Sequence, residues 1–73
     1  MKVYEVNLSA GTYTLSAVVT NTYSNNCRMM FYKNPVSSEN LLANPYVAAD
    51  GNRNAVTFSL SDKADTIVIY GGP

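Results

Sequence analysis

Apolar and polar residues alternate in several short stretches of this chain, and this alternation limits the fold more than any other feature. In 2–8 the side chains of Tyr4, Val6 and Leu8 share one face, while those between them point away. A period of two is that of a β-strand with one buried face, whereas an amphipathic helix repeats every three to four residues. The chain is therefore predicted to be all-β.

Five strands follow from this pattern and from the residues that interrupt it. We predict them at 2–8, 12–20, 27–33, 56–60 and 66–70. Residues 9–11 join the first two strands, and a three-residue connection that ends in glycine is typical of a β-hairpin, because glycine adopts a positive φ without steric cost. Residues 21–26 and 61–65 are polar and are predicted to be turns. The last strand is apolar on both faces, which predicts either a central position or a face that a partner covers.

The stretch 34–52 does not alternate and is predicted to be a long loop. It contains three breaks in regular structure, at Pro35, Pro45 and Asp50-Gly51. Residues 37–43 are predicted to form one helical turn with Ser37 as its cap, and Leu41 or Leu42 to anchor the loop to the core. Loops of this length in compact domains are often functional.

Together these strands predict one domain, 1–73, that is a small antiparallel β-sandwich of jelly-roll type or, alternatively, a small open β-barrel. A chain of this size buries only about 60% of its surface on folding, and the loss of chain entropy offsets most of the hydrophobic gain. Disulfides or metal sites often stabilise such chains, but Cys27 is the only cysteine and histidine is absent. We therefore expect a homo-oligomer or a complex with a neighbouring protein.

Composition and charge exclude several classes of function. Five basic and five acidic residues give a net charge of zero, and the basic residues are scattered, so we expect no nucleic-acid partner. No stretch is apolar enough for a membrane helix, and the N-terminus has no charged region that leads into an apolar run. We therefore expect a soluble protein with no membrane insertion and no signal peptide. A glycine-rich phosphate loop is also missing, and no cofactor is expected.

Catalysis has little support in the residues. Triads that use histidine as the base are excluded by composition. Cys27 has no base beside it, because Arg28 stays protonated, and it is predicted to be a buried structural residue. Asp50 and the asparagines after it match only the start of a calcium-binding loop and are interpreted as a turn. No pair of convergent carboxylates is evident, so we predict a protein that is not an enzyme and has no metal site.

Tyrosine and asparagine are in excess, with six and nine residues in a chain of 73. Tyrosine rings stack against the apolar faces of sugars, and amides form hydrogen bonds with hydroxyls. The candidate ligand or partner contacts are three tyrosines expected to be exposed and the asparagines of the same turns: Tyr23, Tyr32, Tyr46, Asn25, Asn26 and Asn44. The simpler interpretation is that tyrosine favours strands and asparagine favours turns.

Residues 7–17, NLSAGTYTLSA, resemble the opening hairpin of β-sandwich modules of the carbohydrate-binding or galactose-binding-like type, in which a strand ending L-x-A-G turns into T-Y-T-L-S. Residues 56–60 and 67–71 are similar to the last two strands of these modules, which are common in bacteriophage tail, fibre and other virion proteins. The resemblance implies a structural or adhesion module of a phage virion, with other virion proteins or copies of itself as partners.

The alternative that the resemblance implies is a carbohydrate-binding module for a cell-surface glycan. Sandwiches of this kind usually have eight or more strands, whereas five are predicted here. Strands of the family are therefore missing from this chain, and no family binding residue is carried over.

Overall fold

The computed structural model describes residues 1–20 and 26–70, without the side chains of residues 26 and 27. Its strands are β1 (Lys2–Leu8), β2 (Gly11–Val18), β3 (Asn26–Tyr32), β4 (Leu41–Ala43), β5 (Tyr46–Ala48), β6 (Arg53–Leu60) and β7 (Ala64–Tyr70). A 3-10 turn, Ser38–Asn40, precedes β4. The described part of the chain contains no α-helix, and the predicted all-β class is confirmed.

The strands form two antiparallel sheets that pack face to face. The larger sheet has the order β1-β7-β3, with β4 and β5 both paired to the far edge of β3, and the smaller sheet is β2-β6. The first strands of the chain pair with the later strands in reverse order, so that β1 is paired with β7 and β2 is paired with β6. Pairing of early strands with late strands in reverse order is typical of a jelly roll, and this one is shortened. The predicted small β-sandwich is confirmed.

The predicted hairpin between the first two strands is wrong. β1 pairs with β7 and β2 pairs with β6, so residues 9 and 10 cross from one sheet to the other as an arch. The connection from β6 to β7 crosses in the same way. The two arches lie side by side, because Leu8 is opposite Ala64 and Gly11 is opposite Leu60. The string that resembles the opening hairpin of the phage modules therefore spans both sheets.

Burial explains why an arch forms here. Leu8 of β1 and Tyr13 of β2 both pack against the same core cluster, one from each sheet. Two strands of one flat hairpin would lie in a single layer and would need a further layer to cover them. Gly11 does have the predicted positive φ, at +154°, but it begins β2 after the arch and does not close a hairpin.

The core between the sheets is thin. Its centre is a cluster of buried residues, Phe31, Leu60, Ala64 and Ile67. Phe31 of the larger sheet packs against Phe58 of the smaller one, with ring centroids 4.8 Å apart, and Phe58 stacks on Tyr13 at 5.9 Å. Among the described residues, no large side chain is completely buried. A small number of contacts between the two layers therefore stabilises the sandwich.

The predicted long loop contains two short strands that the sequence pattern did not indicate. β4 and β5 pair with successive parts of β3, so they act as one strand that is interrupted at Asn44-Pro45. The backbone N–H of Met29 donates to the carbonyl of Pro45 at 2.9 Å, which keeps the interrupted segment attached to β3. A proline has no N–H for the ladder and is tolerated in an edge strand at such a break.

The predicted helical turn within 37–43 is present in a shorter form. The 3-10 turn begins after Ser37, whose side chain makes no capping hydrogen bond, and the backbone N–H of Asn40 donates to the Ser37 carbonyl at 3.0 Å. Leu42 packs against the core cluster, which confirms that this segment is anchored by a leucine. β7 lies between β1 and β3, which confirms the central position predicted for an apolar last strand.

Candidate functional site

The larger sheet packs on the smaller one with only one of its faces. Opposite residues of antiparallel strands share a face, and Phe31 and Ile67, which are opposite each other, belong to the core. The residues between them in sequence therefore point away from the smaller sheet. We call this surface the outer face, and the register assigns to it Val3, Glu5, Arg28, Met30, Tyr32, Tyr46, Thr66, Val68 and Tyr70.

At one end of the outer face a cation lies between two tyrosines. Arg28 is opposite Tyr70 on one side and Tyr46 on the other, and we call these three residues the tyrosine row. The guanidinium carbon is 5.5 Å from the ring centroid of Tyr46, which is cation–π distance. One guanidinium nitrogen, Nη1, also donates to the Asn44 carbonyl at 3.4 Å. Tyr46 is 54% exposed and Tyr70 is 47% exposed, so the row presents rings and charge to solvent.

The next row of the outer face is apolar. Val68 lies at its centre, with Val3 of β1 opposite on one side and Met30 of β3 on the other. Val68 is buried, Met30 is half-buried and Val3 is 59% exposed. The exposed apolar groups of this part of the outer face are therefore Val3 and the two rings of the tyrosine row, with half-buried Met30 beside them and Val68 covered by its neighbours. Surfaces of this kind are typical of interaction sites.

At the opposite end, the chain after β3 folds back over the outer face. The backbone N–H of Asn34 donates to Asp65 Oδ2 at 3.0 Å, and the Thr66 hydroxyl donates to Asn34 Oδ1 at 2.9 Å. Tyr32 is opposite Thr66 on the neighbouring strand. Only 8% of Tyr32 is exposed, and its hydroxyl is 3.9 Å from Met30 Sδ. The prediction that Tyr32 is an exposed contact residue is therefore wrong, because this returning loop covers its end of the sheet.

A cleft of about 500 Å³ lies between this loop and β1. It is lined by Val3, Glu5, Val6, Asn34, Val36, Asp65 and Thr66. Two acidic residues, Glu5 and Asp65, thus line one cleft, which the sequence pattern did not indicate. The Asn34 backbone N–H, and after it the Lys63 ammonium, hold the pKa of Asp65 below its ordinary value of 3.8. A general acid needs a raised pKa, so Asp65 is not suited to donate a proton near neutral pH.

The Asp65 carboxylate links β7 to the returning loop in a pH-dependent way. Because its pKa is lower in the folded state, it contributes stability that is complete above about pH 5 and is lost as the pH falls through the folded-state pKa, below 3.8. We expect Asp65→Asn to lower the Tm at pH 7 and the difference from wild type to shrink towards pH 2. Thermal unfolding followed by circular dichroism between pH 2 and pH 7 measures this.

The matched control is Thr66→Val, which removes the neighbouring hydroxyl that donates to Asn34. Its effect on the Tm is expected to be the same at every pH, because no ionisable group is changed. If the Tm deficit of Asp65→Asn also stays constant down to pH 2, the Asp65 carboxylate does not act through its charge.

The outer surface of the smaller sheet differs sharply from the outer face of the larger one. Small hydroxyl side chains pair across its two strands, at 3.3 Å between Thr12 and Ser59 and at 3.2 Å between Thr14 and Thr57. These side chains are exposed and satisfy one another. The outer surface of the smaller sheet thus consists of short hydroxyl side chains with Val18 and Arg53 at one end, whereas the exposed aromatic rings lie on the outer face of the larger sheet.

The structure brings together two of the six predicted contact residues. Asn44 and Tyr46 flank the break between β4 and β5, and Arg28 contacts both of them. Tyr32 lies at the covered end of the same face. The remaining three lie outside the described residues, namely Tyr23, Asn25 and the side chain of Asn26. The side chain of Cys27, predicted to be buried, also lies outside them.

Arg28 and Tyr70 were missed as contact residues. Tyr70 ends a strand that the sequence pattern indicated to be apolar on both faces, and Arg28 interrupts an otherwise apolar third strand. Both features indicate an outer face that contacts more than water. Their proximity depends on the pairing of β3 with β7, whose paired residues are 34 to 42 positions apart in the chain, and local patterns do not reveal this.

The acidic turn after β5 has a structural role. Asp50 Oδ1 accepts hydrogen bonds from the Asn52 backbone N–H at 2.9 Å and from Asn54 Nδ2 at 3.0 Å, which confirms the interpretation as a turn. Within residues 1–20 and 26–70, no three potential metal ligands come together. The same residues include no helix with the length and apolar character needed to cross a membrane.

No protein-family model, curated protein or solved structure matches this chain.

Proposed function

We propose that this chain is a non-enzymatic structural or adhesion module of a bacteriophage virion, and that the outer face of its larger sheet docks on protein. The observation that carries the proposal is the tyrosine row, in which Arg28 contacts the ring of Tyr46 and is opposite Tyr70 on the neighbouring strand, and both tyrosines are about half exposed. A docking partner would cover these rings and the apolar strip beside them. A small sandwich with a thin core buries little apolar surface of its own, and docking on a protein would bury more of it.

The kinds of residue on the outer face favour protein as the partner. Tyrosine, arginine and methionine are enriched in protein interfaces, and lysine, aspartate and serine are depleted. The tyrosine row and Met30 belong to the first group, whereas Ser16 and Ser59 on the outer surface of the smaller sheet belong to the second. Four of the seven large apolar side chains that are exposed in the described residues lie on the outer face or at its cleft: Val3, Val36, Tyr46 and Tyr70.

The setting in a phage particle is supported by the resemblance in sequence of residues 7–17 and of the last two strands to virion sandwich modules, although 7–17 form an arch between the sheets here and not the opening hairpin of those modules. The pairing of β1 with β7 and of β2 with β6 is compatible with such a sandwich, reduced in size. Non-enzymatic action is supported by the state of Asp65, whose carboxylate is occupied by Asn34 and Lys63. Because its pKa is held low, Asp65 does not provide the proton donor that a pair of catalytic carboxyl groups needs.

Analysis of purified particles tests this proposal. We expect wild-type chain to co-purify with particles from cells that carry its gene, as measured by quantitative mass spectrometry. The double variant Tyr46→Ala/Tyr70→Ala is expected to be incorporated at least about tenfold less, because interface tyrosines commonly contribute 1–2 kcal/mol each. The matched control is Tyr4→Ala, since Tyr4 is 47% exposed, as Tyr70 is, but is opposite Ile67 of the core. Absence of the chain from particles, or full incorporation of the double variant, would contradict the proposal.

Recognition of a cell-surface glycan is the second candidate, and one observation favours it. Tyr46 is exposed, with the exposed Asn44 two residues away, so a ring and an amide are available at one place. We expect this function to show as binding on a glycan array that is lost in Tyr46→Ala and retained in Tyr4→Ala. A blank array, or binding that Tyr46→Ala leaves unchanged, removes this candidate.

A further inference from the structure

Two opposite charges lie at opposite corners of the outer face. Arg28 of β3 is opposite Tyr70, and Glu5 of β1 is opposite Thr66, with β7 between them. The charges are therefore two strands apart across the sheet and four positions apart along it. At about 4.8 Å per strand and about 3.3 Å per residue, this corresponds to roughly 10 Å by 13 Å. Among the described residues, the ion pairs are Lys33–Asp62 and Lys63–Asp65, so they involve neither corner.

The midpoint of this diagonal is apolar. It falls at Val68, which lies midway along β7 between Thr66 and Tyr70 and is only 6% exposed, so the apolar contact surface there comes from exposed Val3 and half-buried Met30 on its two sides. The outer face is thus an apolar centre with a cation at one corner and an anion at the other. If a second copy of this surface is turned over by 180° about an axis parallel to the face and above its centre, its anion lies over the cation of the first copy and its cation lies over the anion. The surface is therefore complementary to itself.

We propose that the outer face docks on the outer face of a second copy of this chain, with Arg28 of each copy paired to Glu5 of the other. This rests on the proposed function and names its protein partner. A twofold axis over Val68, perpendicular to the diagonal, brings the two pairs together at once. From the strand spacing and rise, the strands of the two copies cross at about 75°, which is close to the orthogonal class of sheet packing.

The groups around each charge suit this pairing. Cation–π contact with Tyr46 and the bond to the Asn44 carbonyl hold the Arg28 guanidinium in place before docking, which reduces the entropy lost on pairing. Glu5 lies at the cleft, where Val3 and Val36 form apolar walls. The arginine stem and its neighbouring tyrosine ring would fill this cleft while the guanidinium meets Glu5. A partner without both an anion and a cation at matching corners would leave one charge unpaired.

Sedimentation equilibrium over a concentration series tests this pairing by charge reversal. Wild type is expected to be in monomer–dimer equilibrium. Glu5→Arg and Arg28→Glu are each expected to raise the dissociation constant by about tenfold or more, because each places like charges together twice. The double variant Glu5→Arg/Arg28→Glu restores opposite charges and is expected to return to within about threefold of wild type. Arg53→Glu, on β6 of the other sheet, makes the same charge change away from the outer face and is the matched control.

Circular dichroism shows whether each variant is folded. If a charge-reversal variant does not fold, Glu5→Gln or Arg28→Gln is used in its place, and its expected effect on the dissociation constant is smaller. The pairing is overturned if wild type stays monomeric at all concentrations, if single reversals have no effect, or if the double variant is no better than the singles. A monomeric wild type that still enters particles through Tyr46 and Tyr70 overturns only the self-docking. A monomeric wild type that is also absent from particles overturns both the self-docking and the proposed function.

Discussion

Replacement of Phe31 by alanine is expected to lower the free energy of unfolding by about 3–5 kcal/mol. Phe31 is 3% exposed, is opposite both Ile67 and Ala43 in the larger sheet, and contacts Phe58 of the smaller sheet. It therefore joins three strands of one layer to the other layer. At about 0.05–0.15 kcal/mol per residue, the whole domain has roughly 4–11 kcal/mol of stability. The variant is expected to be largely unfolded or to melt at least about 15 °C lower.

Urea denaturation followed by circular dichroism measures this loss, with Phe31→Leu as the graded control. Leucine keeps an apolar side chain at the site, and we expect it to cost about 1–2 kcal/mol. If Phe31→Ala costs less than about 1 kcal/mol, the two sheets are not held together by this contact, and the core described above is not the main source of stability.

A disulfide between β2 and β6 is expected to form spontaneously and to raise the stability by about 2–4 kcal/mol. Thr14 and Thr57 are directly opposite, 43 positions apart in sequence, and their hydroxyl oxygens are 3.2 Å apart. Cysteines at such a cross-strand pair are within the distance that a disulfide spans. The experiment uses Thr14→Cys/Thr57→Cys with Cys27→Ser, and mass spectrometry under non-reducing conditions measures cross-linking before urea denaturation measures stability.

The matched control is Tyr4→Cys/Ser16→Cys in the same background. These two exposed positions would be opposite each other if 2–8 and 12–20 formed a hairpin around residues 9–11, but the structure places them in different sheets. Rapid cross-linking of the control pair, with none at positions 14 and 57, would restore the hairpin and contradict the arch.

The sequence pattern was sufficient for the strands and for the direction of many side chains. The alternation in 2–8 and 12–20 marks β1 and β2 to within about two residues, and Met29 and Phe31 lie on the core side of β3, the more apolar side in sequence. Alternation reports which residues share a face, because side chains of a strand point alternately to its two sides. It does not report which strand is the neighbour, and the hairpin prediction failed for this reason.

The contact surface was less predictable for the same physical reason. Tyr46 was identified because it lies in a proline-broken stretch, and it is exposed as expected. Tyr32 was expected to be exposed from the weak polarity of its face, but its burial depends on the bonds of Asn34 to Asp65 and Thr66, more than 30 positions away. Arg28 joins the site only through pairing with β5 and β7. Long-range pairing thus decides the site, whereas local pattern decides the strands.

The central claim is that this chain acts through the outer face of its larger sheet. Hydroxyl-radical footprinting of purified particles, compared with dilute free chain, tests it on the unmodified protein. Tyr46 and Tyr70 are expected to be oxidised several-fold more slowly in the assembly, whereas Tyr4, which matches Tyr70 at 47% exposure but does not lie on the outer face, is expected to be oxidised at the same rate in both. Unchanged oxidation of Tyr46 and Tyr70, or equal protection of Tyr4, would contradict the account.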